Sequence, residues 1–290
     1  MGWTAPRRAL VLMVGFAIAM EACSGGSGAM TAPSAPAGTE TRSSPSSAAS
    51  TNAPGVARLL FTRTAAGDRT AIFAVNADGT GERQLTTMGA YGSVPRVSPD
   101  GDRILVMPGR DPLPTPLNGG SIAIDGSGFV PLSATDPSLN LVPQAWSPDG
   151  KRIAFEGWDE TKPGRTGVYT ARFADGGDLV RVTTPQGAPH DIPLDYSPDG
   201  TRLVFYRAVR AEPDFPIDIG GSLWVVNVDD ANPHQITTSA TAPFDWARWS
   251  PDGTRILFGA ERLQPKGVVW TVGPDGSRRA EEHTSELQSR

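Results

Sequence analysis

Short apolar runs separated by polar turns fill the chain from about residue 57 onward, and one turn keeps returning. It reads VSPDGDRILV at 97–106, WSPDGKRIAF at 146–155, YSPDGTRLVF at 196–205 and WSPDGTRILF at 249–258. The turn serines, Ser98, Ser147, Ser197 and Ser250, recur about every fifty residues, the signature of a repeat architecture. In each copy proline presets φ at the first turn position and aspartate suits the second. Glycine then supplies the left-handed conformation that sends the chain back. Apolar runs on both sides make the turn a joint between two antiparallel strands. The second strand opens with arginine each time, at Arg103, Arg152, Arg202 and Arg255, and Arg58 in PGVARLLF is a fifth, degraded copy.

After a variable connection comes a third apolar run: AIFAVNA (71–77), SIAID (121–125), VYTARF (168–173), LWVVNV (223–228) and VVWTVG (268–273). Asp-Gly turns such as ADGTG (77–81) and PDGS (274–277) then lead into a fourth, more polar strand, ERQLTT, VRVTT or HQITT. Four antiparallel strands per unit of about fifty residues make a propeller blade, so the pattern predicts an all-β propeller. The aromatic before the turn (Trp146, Tyr196, Trp249) is expected to pack between neighbouring blades. Five blades are predicted in an open or poorly closed ring. The first lacks its inner strand, since Arg58 already begins a second strand, and the fifth lacks most of its outer one.

Strand, S-P-D-G, Arg-Ile/Leu-x-Phe, then NADGTG (76–81) and QLT (84–86), resembles the TolB-type propeller repeat over residues 57 to about 279. Such repeats occur in the periplasmic Tol system protein, in lipoproteins of unassigned role and in the propeller halves of prolyl-oligopeptidase-type peptidases. The resemblance therefore implies an architecture and leaves the activity open. The Tol protein also carries an α/β domain before its propeller, for which the segment preceding residue 58 has no room.

That segment has a different character. It begins MGWTAPRRALVLMVGFAIAMEACSGG, with two arginines, an apolar run from Ala9 to Met20, and then Cys23. The run is too short to span a bilayer as a helix and suits the core of a secretory signal. Ala22-Cys23 resembles the lipobox of bacterial lipoproteins, in which the cysteine is lipidated and becomes the mature N-terminus; Glu21 departs from the small residue usual there. Residues 1–23 thus read as a lipoprotein signal peptide. Residues 24–57 contain no aromatic residue, isoleucine or leucine, and are expected to form a disordered tether to a propeller at 58–279. Residues 280–290 include EEHTSELQS (281–289), which matches a translated sequencing-library adapter, and are read as a technical tail on a truncated chain.

Composition narrows the function. A net charge of −5 and a pI near 5.3 offer no basic field for nucleic acid, and a single cysteine excludes an internal disulfide framework. No G-x-S-x-G elbow, Walker loop, C-x-x-C or H-E-x-x-H pattern is present, so no catalytic residue, metal or cofactor is implied. His234 falls on a polar outer strand, whereas His190-Asp191 is placed in a loop between blades. The informative feature is loop length. Connections between second and third strands are long and dissimilar: PGRDPLPTPLNGG (108–120), EGWDETKPGRTG (156–167), RAVRAEPDFPIDIGGS (207–222) and AERLQPKG (260–267). In a four-stranded meander they project from the same face as the inter-blade connections, and variable loops on a rigid scaffold are where binding concentrates. Arg110, Trp158, Arg165, His190, Asp191, Arg210, Phe215 and Arg262 are the candidate binding residues on that face. Their mixed charge and aromatic character suits a protein or glycan surface. The leading expectation is a non-catalytic envelope lipoprotein, monomeric when complete, that touches the membrane only through its lipid. The alternative is the propeller half of a secreted prolyl-oligopeptidase-type peptidase or hydrolase whose catalytic domain lies beyond the chain's end. A propeller polysaccharide lyase is disfavoured, since no histidine or metal cluster is evident.

Overall fold

The computed structural model describes residues 58–65, 69–86, 95–107, 119–132, 137–186, 190–210, 218–238, 246–259, 269–277 and 280–282. Residues 1–57, on which the signal-peptide, Cys23 lipidation and tether expectations fall, and residues 283–290 lie outside them. Within them the chain forms five antiparallel sheets, each a blade built in sequence order. Blade one is β1 (Arg58–Ala65), β2 (Arg69–Asn76) and β3 (Arg83–Gln84). Blade two is β4 (Arg96–Val97), β5 (Arg103–Val106), β6 (Gly120–Ala123) and β7 (Val130–Pro131). Blade three is β8 (Asn140–Trp146), β9 (Arg152–Trp158), β10 (Gly167–Arg172) and β11 (Val180–Arg181). Blade four is β12 (His190–Tyr196), β13 (Arg202–Arg210), β14 (Asp218–Asn227) and β15 (His234–Gln235). Blade five is β16 (Trp246–Trp249), β17 (Ile256–Gly259), β18 (Val269–Val272) and β19 (Ala280–Glu282).

The S-P-D-G turn is tighter than its backbone pattern alone requires. In blade four the Ser197 hydroxyl donates to Asp199 Oδ1 (2.5 Å) and accepts the Arg202 amide (2.9 Å). Asp199 Oδ1 also accepts the Thr201 amide (3.0 Å), and the Gly200 amide donates to the Ser197 carbonyl (2.8 Å). The same contacts recur around Ser98, Ser147 and Ser250. Gly200 sits at φ 73°, where a β-branched side chain would be strained. The fourth strand ends on a second repeated device. The first threonine of each T-T pair accepts a third-strand amide: Ile72 to Thr86 (3.0 Å), Val168 to Thr183 (2.9 Å) and Leu223 to Thr237 (2.9 Å).

Apolar residues on both faces of the blades build the core as a series of seams. One cluster joins Ile72, Ala74 and Leu85 of blade one to Ile104, Val106 and Ile122 of blade two. The next joins Leu105 to Trp146, Ile153 and Phe155; a third joins Ala154 and Val168 to Tyr196 and Phe205. The last joins Leu194, Val204 and Leu223 to Trp249, Ile256 and Phe258. Trp146, Tyr196 and Trp249 therefore lie in the seams, as expected. The Trp146 indole also donates across its seam to the Arg96 carbonyl (3.1 Å).

Blade one has three strands among the described residues, as Arg58 implied. Blade five differs from expectation. It carries an outer strand, because the 274–277 turn returns the chain and Thr271 pairs with Ala280, a backbone register indifferent to side-chain identity. Residues 280–282 are thus part of a blade. His190-Asp191 is also not in a loop: these residues open β12, since β13 runs on to Arg210 and pairs His190 with Ala208. The same extension takes much of the 207–222 connection into strand, with Arg210 opposite Asp218.

At the seam between blades four and five, Asp195 Oδ2 accepts the Trp249 amide (3.0 Å), at the place where blade three carries Ala145. Burial pushes the Asp195 carboxyl up from 3.8 to about 6, against the opposing pull of the Trp249 and Tyr196 amides. A carboxyl whose pKa rises on folding favours the protonated native state, so its stabilising contribution is lost as pH climbs from about 4 through about 6. Asp195→Asn is expected to flatten the stability profile in that window. Chemical denaturation near neutral pH should find the variant up to about 3 kcal/mol more stable than the parent.

Candidate functional site

The end of the molecule where inner strands begin and second strands finish brings blades three and four together at a small cluster. Glu156 and Trp158 alternate along β9, so the pleat places both on one face of the blade. His190 is the first residue of β12, and its Nδ1 lies 3.1 Å from Glu156 Oε1. The His190 and Trp158 rings are 6.5 Å apart at 56°, and the Trp158 indole donates to Glu160 Oε1 (2.8 Å). With its proton on Nδ1, His190 donates to Glu156 and presents Nε2 as an acceptor. The cluster thus offers an aromatic ring with the Glu160 carboxylate beside it, and an oriented imidazole.

The connection that follows Trp158 is fastened down. Asp159, 3% exposed, accepts from the Thr161 hydroxyl (2.7 Å), the Thr161 and Lys162 amides (2.9 and 3.1 Å), the Ser138 hydroxyl (3.0 Å) and Arg165 Nη1 (2.9 Å). The Thr161 hydroxyl, before the other donors, holds the Asp159 carboxyl well below the usual carboxylate range. A 3-10 turn, Pro163–Arg165, is gripped from outside. Arg181 donates to the Gly164 and Thr166 carbonyls, and the Tyr169 hydroxyl to the Arg165 carbonyl (2.7 Å). Gly157 is required here, since a Cβ would stand 2.4 Å from the Tyr169 ring.

Four of the candidate residues have described side chains, and they divide into two roles. Trp158 and His190 come together at the cluster. Arg165 is engaged in organising the connection through Asp159. Asp191, 1% exposed, takes a bidentate pair from Arg207 at 2.7 and 2.8 Å, and that guanidinium lies 4.3 Å over the Trp224 ring. Asp191 therefore ties β12 to β13 inside blade four. Arg110, Phe215, Arg262 and the side chain of Arg210 lie outside the described residues. Glu156, Asp159 and Arg207 were not anticipated; the period-two spacing of Glu156 and Trp158 was the available signal. Among the described residues no three His, Cys, Asp or Glu side chains converge as metal ligands would.

No protein-family model matches the sequence, and no curated protein matches it. Solved structures do. TolB from Acinetobacter baumannii superposes with a TM-score of 0.57 and 18% identity, covering 77% of this chain and 51% of its own. The putative TolB from Agrobacterium tumefaciens gives 0.53 and 16%, covering 78% and 80%. A chain of the nidogen/laminin complex gives 0.54 and 11%, covering 77% of each. This chain spans about half the length of the Acinetobacter protein. Likeness at such identities establishes the fold, a TolB-type propeller.

The division of roles predicts opposite responses to mutation. Asp191→Ala strands a partly buried guanidinium and is expected to cost about 3–5 kcal/mol in urea denaturation. Glu160→Ala, on an exposed side chain, is expected to cost under about 1 kcal/mol.

Proposed function

We propose that this propeller is a non-catalytic binding module of the cell envelope, taking a protein or glycan ligand at the face where its inner strands begin. The observation that carries this reading is the Trp158–His190–Glu156 cluster, which sits beside a connection immobilised by Asp159 and Arg181. An aromatic ring and a few oriented polar groups on a rigid frame lose little freedom on binding, so contact free energy is retained as affinity. Sugar rings and apolar side chains both stack on indole faces, and His190 Nε2 with the Glu160 carboxylate would meet hydroxyl or amide hydrogens. In this reading Cys23 carries lipid, holding the propeller at the extracytoplasmic face of a membrane by buried methylenes worth about 0.8 kcal/mol each.

Binding of the whole chain to isolated peptidoglycan and to purified, detergent-solubilised envelope proteins tests the reading. Trp158→Ala and His190→Ala are each expected to weaken binding at least about tenfold, measured well below each variant's melting temperature because Trp158 also packs on Met107 and Val142 and His190 meets the buried Glu156. Asp102→Ala, exposed in a turn at the other end, should leave binding unchanged. Binding that is lost in Asp102→Ala but kept in Trp158→Ala would reject the assignment.

A further inference from the structure

The polar groups of the Trp158–His190–Glu156 cluster narrow the kind of ligand it can take, because its open positions are acceptors. A neutral imidazole carries its proton on one nitrogen and accepts at the other. With that proton on Nδ1, donated to Glu156 Oε1 at 3.1 Å, His190 Nε2 is the acceptor. Nε2 takes no bond within the fold and is not sealed from solvent, and the same holds for the second oxygen of Glu156. Glu160 is exposed; one of its oxygens accepts the Trp158 indole N–H (2.8 Å) and the other is unspent. The indole donor is thereby used. Trp158 packs on Met107 and Val142 and is only half-buried, so part of its ring is left for a ligand.

Charge narrows the ligand further. The Asp159–Arg165 and Asp191–Arg207 pairs cancel internally. Among the described residues of the cluster and its adjoining connection, that leaves Glu156 and Glu160 against Lys162, which is exposed, and Arg181, which is spent on the Gly164, Thr166 and Thr183 carbonyls. The balance is near neutral, so neither a net anion nor a net cation is drawn in by the local field. An acidic sugar would set its carboxylate against Glu156 and Glu160. An extended peptide brings one carbonyl for every N–H, and those carbonyls would face acceptors and lose their water without a donor in exchange. A neutral glycan brings hydroxyls, each with a proton to give, and C–H faces that stack on an indole.

We infer that the ligand at this face is a neutral glycan, and that Glu156 is the positioning residue that selects it. By holding the His190 proton on Nδ1, Glu156 keeps Nε2 open to a sugar hydroxyl. This rests on the Trp158–His190 cluster being the binding face. Isothermal titration calorimetry of the full chain with cellohexaose, maltohexaose and N-acetylchitohexaose tests it, with hexagalacturonate and hexaglucosamine as charged comparisons. At least one neutral sugar is expected to bind saturably, and at least about tenfold tighter than either charged one. Glu160→Ala, at an exposed position, should weaken that binding at least about threefold. In mildly alkaline buffer, where imidazoles are neutral, nitrogen-15 NMR should find His190 of the parent protonated on Nδ1. Glu156→Gln conserves shape, yet its amide can donate to Nδ1 as well as accept from it. The Nε2–H form should therefore appear, and affinity for the neutral sugar should fall at least about tenfold. An Nε2–H ring in the parent, or unchanged affinity in Glu156→Gln, would overturn the proposal. So would failure of all three neutral sugars to bind. If a purified envelope protein then binds in a Trp158-dependent way, the binding face stands and the ligand class is wrong; if nothing binds there, the face itself is wrong.

Discussion

In every S-P-D-G turn a serine hydroxyl gives its proton to the aspartate two residues on and takes a hydrogen bond from the arginine amide five residues on. This small ring sets where the second strand begins relative to the first. Everything in the blade follows from that register. In blades three to five the residue before the serine is delivered to the seam, where Trp146, Tyr196 and Trp249 join the neighbouring blade's core, whereas Val97 of blade two stays exposed. The arginine after the glycine is delivered to the third strand, where Arg103 meets Ser121, Arg152 meets Thr170 and Arg255 meets Thr271. The turns also nest: an added Cβ on Gly200 would stand 3.6 Å from Pro148, and one on Gly253 the same distance from Pro198. One local motif therefore governs both the hairpin and the spacing of blades.

The other end of each blade is under no such common constraint. The connections from second to third strands differ in length and composition, and the one following Trp158 has its own fastenings in Asp159, Arg165 and Arg181. That contrast accounts for the division of labour. A repeated turn at one end keeps the strands in place, and the freedom left at the other end allows a half-buried aromatic and an oriented imidazole to be held together.

The architecture was legible in the sequence because its determinants are local. S-P-D-G specifies a turn by backbone preference alone, and strand alternation with about fifty-residue spacing specifies a blade. That blade one has three strands among the described residues could be read from the position of Arg58. What escaped were features set by backbone pairing or by contacts between blades. His190-Asp191 has loop-like chemistry, yet the ladder with β13 extends to include it. The polar 280–282 segment is drawn into blade five by its turn in the same way. At the site, Trp158 and His190 could be picked out by residue type. Their meeting through Glu156, and the engagement of Arg165 and Asp191 by partners distant in sequence, depend on how blades three and four face each other, which no single-chain pattern encodes.

The claim that the serine hydroxyl sets the register is tested most directly by amide hydrogen exchange, read residue by residue. The amides of Arg103, Arg152, Arg202 and Arg255 donate to serine hydroxyls at 2.8–3.0 Å and should all exchange slowly in the parent chain. In Ser197→Ala, the Arg202 amide and those of the surrounding blade-four hairpin should lose protection, by about tenfold or more for a lost contribution of about 1–2 kcal/mol, while Arg103 and Arg255 keep theirs. Unchanged protection of Arg202 in Ser197→Ala, or fast exchange of the four amides in the parent, would contradict the account.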